Sequence, residues 1–202
     1  MSLDVIVNLL GVALVSAWTP GPNNVMLASS GATFGWRRTQ PHAFGISFGF
    51  PVMIFAVALG FGQIFLALPL LKTVMLWIGC AVMLWLAWRI GTARPAPEGT
   101  VKTGASRPLS FLQAAAFQWI NPKAWAMAIG VSGAFISASR PVQDALTAAA
   151  VFVIAAVSST QAWSAFGTAM GRFLGRGERL KIFNLVMGLL LAGCAVWLIL
   201  DA

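Results

Sequence analysis

The sequence predicts an all-α membrane protein in which six transmembrane helices form two inverted three-helix repeats, with proline-broken helices 1 and 4. The first observation is composition: of the 202 residues, 59% are hydrophobic and only 9% are charged, whereas soluble domains average roughly 45–50% apolar residues. The second is length, because a helix needs about 20 apolar residues to cross a bilayer. The third is that two apolar segments carry prolines at matching places in the two halves. The six segments are residues 5–31, 43–68, 71–90, 111–136, 145–169 and 182–200.

The first apolar segment is interrupted by the run Thr19-Pro20-Gly21-Pro22. Proline lacks a backbone N–H and opens the helix at its position, and we expect Gly21 to supply backbone conformations closed to other residues. Unpaired backbone groups cannot face lipid, so the break must face protein or a cavity. The chain start lacks the basic stretch of a signal peptide, so we expect this segment to remain in the mature protein.

Asn23 and Asn24 follow this break, where the helix restarts. Unpaired amides at a helix N-terminus carry partial positive charge and bind anions such as carboxylates. The two side chains add further donors and acceptors, so we place both asparagines among the substrate-binding residues. The alternative is that they only cap the restarted helix.

The second and third segments complete a first repeat, residues 1–91, and a linker rich in Pro, Gly and charge, residues 92–108, precedes a second repeat, residues 109–202. Each repeat opens with a broken segment, and its third segment begins with a Leu-Lys pair that ends at Lys72 or Lys181. An odd number of crossings inverts the second repeat. Paired broken helices in inverted repeats are typical of secondary transporters, whose substrate binds between the repeats. We therefore treat the chain as one transmembrane transporter domain.

Two glycine pairs predict close helix packing. Gly45 and Gly49 in the second segment share a helix face, as do Gly167 and Gly171 in the fifth, because each pair is four residues apart. Small residues at this spacing let helix backbones approach closely in a membrane. The partner helix lies either in the same chain or in a second copy, as a homodimer.

Pro122 breaks the fourth segment between Asn121 and Lys123. Lys123 lies near the middle of this segment, where a charge costs about 2.5 kcal/mol or more on insertion scales. We expect it to contact an anionic substrate group such as a carboxylate; the alternative is that it pairs with a carbonyl freed by the break. Asn121 is expected to match the asparagines of the first break, and Gln118, one turn earlier, to line the same site.

The fifth segment carries Ser158, Ser159, Thr160 and Gln161 near its centre. Four consecutive polar residues cover all faces of a helix, so one or two of them point inward. We place Ser159 and Gln161 among the substrate-binding residues. The alternative is that these side chains join helices by hydrogen bonds, each worth roughly 0.6 kcal/mol.

The net charge of +8 indicates membrane topology and not nucleic-acid binding. With six crossings, nearly all basic loop residues fall on one side, and the positive-inside rule places that side in the cytoplasm. Both termini are then periplasmic, and the basic residues contact anionic membrane lipids. The cytoplasmic residues are Arg37, Arg38, Arg89, Arg94, Lys102, Arg107, Arg172, Arg176, Arg179 and Lys181, against Lys72 and Arg140 on the other side.

The sequence gives no support for a metal centre, a cofactor or an enzyme. Cys80, Cys194 and His42 are scattered, whereas a metal site needs clustered ligands. An intramembrane enzyme would need a base beside a nucleophile such as Ser159. No Asp or Glu lies at the middle of a segment, where proton relays usually have one. A membrane scaffold would have no use for paired breaks.

Three motifs resemble the LysE/RhtB family of amino-acid exporters. They are Thr-Pro-Gly-Pro-Asn-Asn at 19–24, the pair Arg37-Arg38 after the first segment, and Asn-Pro-Lys at 121–123. The resemblance extends over essentially the whole chain, including its size, six segments and central linker. Residues 19–30, 85–90 and 117–121 are most similar to the cysteine/O-acetylserine exporter branch of that family.

The resemblance implies that the chain exports a small zwitterionic amino acid or derivative, similar to cysteine, O-acetylserine, homoserine or threonine. It places the protein in the bacterial inner membrane, as an antiporter with protons as the coupling ion. Several relatives carry an aspartate where this chain has Ser159, a departure that suits a neutral or zwitterionic substrate better than a cationic one. The alternative function is export of a heavy-metal or other small cation, as in related families.

Overall fold

The computed structural model describes residues 1–93, 107–175 and 177–200, and within these ranges the chain is almost entirely helical, without strands. Residues 94–106, most of the predicted linker 92–108, lie outside the described residues, as does the predicted cytoplasmic Arg176. A π-helical stretch, Val57–Phe61, joins the third helix to the fourth. The helices are α1 (Leu3–Trp18), α2 (Pro22–Phe34), α3 (Trp36–Ala56), α4 (Gly62–Ala67), α5 (Pro69–Gly91), α6 (Phe111–Gln118), α7 (Pro122–Phe135), α8 (Pro141–Leu174) and α9 (Glu178–Leu200).

Among the described residues, four helical segments are long and apolar enough to cross a membrane: Trp36–Phe61, Leu70–Gly91, Pro141–Leu174 and Glu178–Leu200. The pair α1 and α2, bent by 55° at its break, forms a fifth when taken as one span. The predicted all-helical membrane protein is therefore confirmed. The fourth predicted segment is divided into α6 and α7, of 8 and 14 residues, and neither is long enough alone.

Backbone carbonyls that the break between α1 and α2 leaves without helical partners are hydrogen-bonded by a nearby side chain. Pro22 is the first residue of α2, where its missing N–H costs nothing. The Asn24 side chain donates to the carbonyl oxygens of Ala17 and Thr19, at 2.9 and 3.0 Å. These are carbonyls at the end of α1 that have no helical donor. The break is thereby held in one defined shape.

The reason for a glycine at position 21 differs from the predicted one. The Gly21 backbone is extended, with φ −174° and ψ −176°, a conformation open to any residue, so the predicted conformational role is wrong. Space is the reason for glycine: a Cβ here would lie 3.0 Å from Nζ of Lys123 and 3.2 Å from its Cδ. Glycine lets the lysine of one break lie against the backbone of the other.

The break between α6 and α7 also depends on an asparagine, which here accepts a hydrogen bond as the N-cap of the new helix. Pro122 is the first residue of α7, and the Asn121 side chain accepts a hydrogen bond from the Lys123 backbone N–H at 3.1 Å. The Trp125 indole donates to the Trp119 carbonyl at 2.8 Å. A capping asparagine and a donor from the new helix therefore stabilise this break as well.

The packing is centred on α8, a helix of 34 residues that contacts α1, α2 and α3. Glycines set the closest approaches: a Cβ on Gly167 would lie 2.0 Å from a carbonyl oxygen of α2, and one on Gly45 2.4 Å from a carbonyl oxygen of α6. Gly171 and Gly49 lie against the same two helices. Both predicted glycine faces are thus occupied within the chain, and a homodimer would have to use other surfaces.

Large apolar side chains cover the outside of the bundle. Leu70 and Leu112 are each 75% exposed, and Trp88 is 72% exposed. Soluble monomers rarely expose contiguous apolar patches of more than a few hundred Å². A surface of this kind is suited to hydrocarbon.

The two ends of the bundle differ in charge. At one end, the N-terminal ammonium lies 3.3 Å from Oδ1 of Asp144 at the start of α8. The C-terminal ends of α2, α5 and α8 lie together at the other end. The basic residues Arg89, Arg107 and Arg172 therefore gather there.

Candidate functional site

The two helix breaks meet at one pocket between α1, α2, α3, α6, α7 and α8. It encloses about 490 Å³, including the part open to solvent. Gly21 and Pro22 of the first break line it, while Pro20 and Pro122 shape the breaks without lining it. The pocket brings together six of the seven predicted binding residues: Asn23, Asn24, Gln118, Asn121, Lys123 and Ser159.

Lys123 joins the two breaks electrostatically. Its Nζ donates to the Thr19 carbonyl oxygen at 3.1 Å. Within residues 1–93, 107–175 and 177–200, the ammonium has no carboxylate partner. An ammonium has three donors, so two remain for water or a ligand. The side chain therefore does answer a freed carbonyl, but one from the opposite break, and it keeps the capacity to bind an anionic group.

Asn23 and Gln118 form a reciprocal amide pair between the two breaks. The Asn23 amide nitrogen donates to Oε1 of Gln118 at 2.9 Å, and the Gln118 amide nitrogen donates to Oδ1 of Asn23 at 3.2 Å. Gln118 is fully buried and also donates to the Ala114 carbonyl at 2.9 Å. The pair ties α2 to α6 at one wall of the pocket.

The two other asparagines act mainly as caps. Asn24 is 5% exposed and its amide group is engaged by the end of α1. Asn121 caps the first turn of α7. Both line the pocket, but their side chains chiefly keep the breaks in shape and expose the backbone around them.

Hydroxyl groups of α8 form the facing wall. The Ser159 hydroxyl donates to the Ala17 carbonyl at 2.7 Å, and the Thr160 hydroxyl lies 2.8 Å from that of Ser47 in α3. Ser158 points elsewhere and accepts a hydrogen bond from the Trp18 indole at 3.2 Å. The Ser159 and Ser158 contacts fasten α8 to the end of α1, and the Thr160 contact fastens it to α3.

Gln161 does not line the pocket, although the sequence placed it there. Successive helix residues are turned by about 100°, so the wall formed by Ser159 and Thr160 leaves Gln161 on a different face. Its amide oxygen and nitrogen are buried, and neither has a hydrogen-bond partner among the described residues. The sequence could show that one or two of the four polar residues point inward, but not which.

The apolar wall of the pocket was missed from the sequence. Ile46, Phe50 and Met127 line it, and nothing distinguishes them from other apolar residues of their segments. Thr160 belongs to the run of four polar residues in α8 but was not among the predicted substrate-binding residues. These side chains limit the polar part of the pocket to the side where the breaks meet.

The pocket does not have the chemistry of a metal site. In the described part of the chain, no group of three or more His, Cys, Asp or Glu residues gathers. The charged group at the pocket is an ammonium, which repels cations and attracts anions. A carboxylate is a suitable partner for it.

These features define a multi-pass α-helical membrane protein with a pocket between broken helices that is polar on the side where the breaks meet. Comparison with known families identifies the particular kind: the chain belongs to the family described as LysE type translocator, which it matches over residues 14–202. The predicted resemblance is confirmed.

Several relatives are named cysteine/O-acetylserine efflux protein. That of Escherichia coli strain K12 is 31% identical over 189 residues, covering 91% of each chain. The protein of E. coli O6:H1 strain CFT073 is 32% identical, and that of Shigella sonnei strain Ss046 is 31% identical, with the same coverage. No solved structure matches the chain at a significant level.

Proposed function

We propose that the chain is a secondary transporter that exports a small zwitterionic amino acid, of the cysteine or O-acetylserine kind, across the bacterial inner membrane. The observation that carries the proposal is the meeting of both helix breaks at one pocket beside the Lys123 ammonium. Membership of the LysE family and the efflux proteins among its relatives support it.

The pocket offers complementary groups to both ends of such a substrate. The carboxylate lies between Nζ of Lys123 and the N-terminus of α2, where the backbone amides of Asn23 and Asn24 begin the helix. The substrate ammonium faces the amide oxygen of Gln118, which accepts one hydrogen bond from Asn23 and has a second lone pair. A net-neutral ligand with both charges suits a site that has one fixed cation and many neutral acceptors.

Alternating access is proposed to come from two inverted repeats. The 8 residues of α6 and 14 residues of α7 span about 33 Å at 1.5 Å per residue, close to the roughly 30 Å hydrocarbon thickness. Together they supply a sixth crossing. Rocking of one three-crossing repeat against the other then exposes the pocket to each side in turn.

The charged end of the bundle supports an orientation. Under the positive-inside rule, the end that gathers Arg89, Arg107 and Arg172 is cytoplasmic. Both termini are then periplasmic. The proton is proposed as the coupling ion, with the inward proton gradient driving efflux.

Counterflow in proteoliposomes tests this function. The panel contains labelled cysteine, O-acetylserine, homoserine, threonine and lysine, each with and without a pH gradient. We expect exchange of the zwitterionic amino acids, exclusion of lysine because Lys123 repels its side chain, and acceleration by the gradient. Exchange of lysine alone, or of none of the panel with intact protein, contradicts the proposal; exchange unaffected by pH removes only the coupling.

A further inference from the structure

A second pocket lies toward the C-terminal end of α2. It encloses about 530 Å³, including the part open to solvent. The first pocket uses Pro22 to Asn24 of this helix, whereas the second uses residues from Met26 to Phe34. At 1.5 Å per residue the polar parts of the two are separated by about 10 Å along α2. One helix therefore connects the two pockets.

The second pocket carries two positive charges. Arg89 comes from the last turn of α5 and Arg107 from the segment before α6, and both line the pocket. The Arg89 guanidinium lies over the Trp85 ring, 4.9 Å from its centre, which limits its directions. In residues 1–93, 107–175 and 177–200, no carboxylate pairs with either arginine. The pocket thus has an excess of positive charge.

The carboxylates of the described residues either form ion pairs with other groups or lie far from this pocket. Asp144 pairs with the N-terminal ammonium at the opposite end of the bundle, and Glu178 pairs with Lys181. Asp4 belongs to the first turn of α1, at the same opposite end. Among residues 1–93, 107–175 and 177–200, the arginine pair therefore has no anionic partner.

Polar groups from α2 and α3 face the same space. The Ser30 hydroxyl lies 3.2 Å from Nδ1 of His42, and both residues line the pocket. His42 is 1% exposed, and its Nε2 has no hydrogen-bond partner among the described residues. Ser29 and Thr33 are held by Asn184 of α9 at 3.3 and 3.4 Å. A buried polar atom without a partner is costly, so a polar ligand or water would stabilise it.

We propose that this second pocket is a cytoplasmic loading site that binds the carboxylate of the exported amino acid before it reaches Lys123. The inference rests on the proposed function and its orientation. Arg89 and Arg107 supply planar, paired donors that match a carboxylate, and Ser30 adds a neutral polar group. The substrate then passes along α2 from the two arginines of the cytoplasmic pocket to Lys123 in the central pocket.

Transport measured separately from each face tests the loading site. Everted membrane vesicles present the cytoplasmic face, and right-side-out vesicles present the periplasmic face; the probe is labelled O-acetylserine. Arg89→Gln and Arg107→Gln are each expected to raise the cytoplasmic KM about tenfold, since each substitution removes a charged hydrogen-bond donor to the carboxylate. The maximal rate and the periplasmic KM stay unchanged, because the central pocket is intact.

The matched controls are Arg172→Gln and Arg179→Gln, which remove exposed charges at the same end without lining either pocket. They are expected to leave both KM values unchanged. An equal rise of KM in the controls, or normal kinetics in Arg89→Gln and Arg107→Gln, overturns the loading site while the proposed function stands. Absence of exchange of every amino acid in the counterflow panel by folded unmodified protein overturns both.

A phospholipid phosphate is the other anion that two arginines could bind. Proteoliposomes of phosphatidylcholine alone, compared with vesicles that also contain phosphatidylglycerol, separate the two sources. A carboxylate site predicts the same rise of KM in both lipids. A defect that appears only with phosphatidylglycerol assigns the pocket to lipid and refutes the proposal.

Discussion

Replacement of Lys123 by Met gives the most direct test of the central pocket. Methionine keeps an unbranched side chain but removes the ammonium, its hydrogen bond to the Thr19 carbonyl and its attraction for a carboxylate. A hydrogen bond from a charged group contributes roughly 1.5–3 kcal/mol, and 1.4 kcal/mol corresponds to about tenfold in affinity. We therefore expect substrate binding to weaken by about 10- to 100-fold.

The assay compares counterflow and equilibrium binding of labelled O-acetylserine for Lys123→Met and the unmodified protein. Lys72→Met is the matched control, because Lys72 is exposed near the start of α5 and lines neither pocket. Lys123→Arg is also expected to lose activity, since the lysine stem lies within 3.6 Å of the position of a Gly21 Cβ and leaves little room for a guanidinium. Binding by Lys123→Met within twofold of the unmodified protein would refute the reasoning.

Three further substitutions test the packing and the polar contacts. Gly167→Ala should lower the free energy of unfolding by about 1–3 kcal/mol through overpacking, because its Cβ would meet an α2 carbonyl at 2.0 Å. Gly193→Ala is the control, because a Cβ there meets open space, and it should not lower the free energy of unfolding. Thermal unfolding measures both variants. Asn24→Ala should cost about 1–3 kcal/mol, because it removes two hydrogen bonds to the carbonyls at the end of α1, with loss of counterflow. Gln161→Leu should keep transport and keep or raise stability, because it removes two buried unpartnered atoms; lost transport with normal folding would return Gln161 to the site.

The helix breaks could be located from the sequence because they depend on local chemistry. Pro22 and Pro122 each begin a helix in the structure, as proline's missing donor and fixed φ favour. The partners of polar side chains could not be located in this way. Asn23 and Gln118 are 95 residues apart, and no local pattern indicates that they exchange hydrogen bonds.

The role of Gly21 shows a related limit. Glycine commonly indicates an unusual backbone conformation, yet here its backbone is extended and the requirement comes from a lysine 102 residues later in the chain. Only the tertiary structure identifies that neighbour. The same is true of Gln161, whose face depends on how α8 is rotated against the helices around it.

The reciprocal hydrogen bonds of Asn23 and Gln118 affect how readily the carrier changes conformation without a substrate. Any movement that separates α2 from α6 must break both hydrogen bonds together, at a cost of about 1–3 kcal/mol for each group left unpaired. An amino acid carries a donor and an acceptor side by side, so it can replace each partner as the amides part. An empty carrier meets this penalty in full and is thereby discouraged from cycling, whereas an occupied one is not.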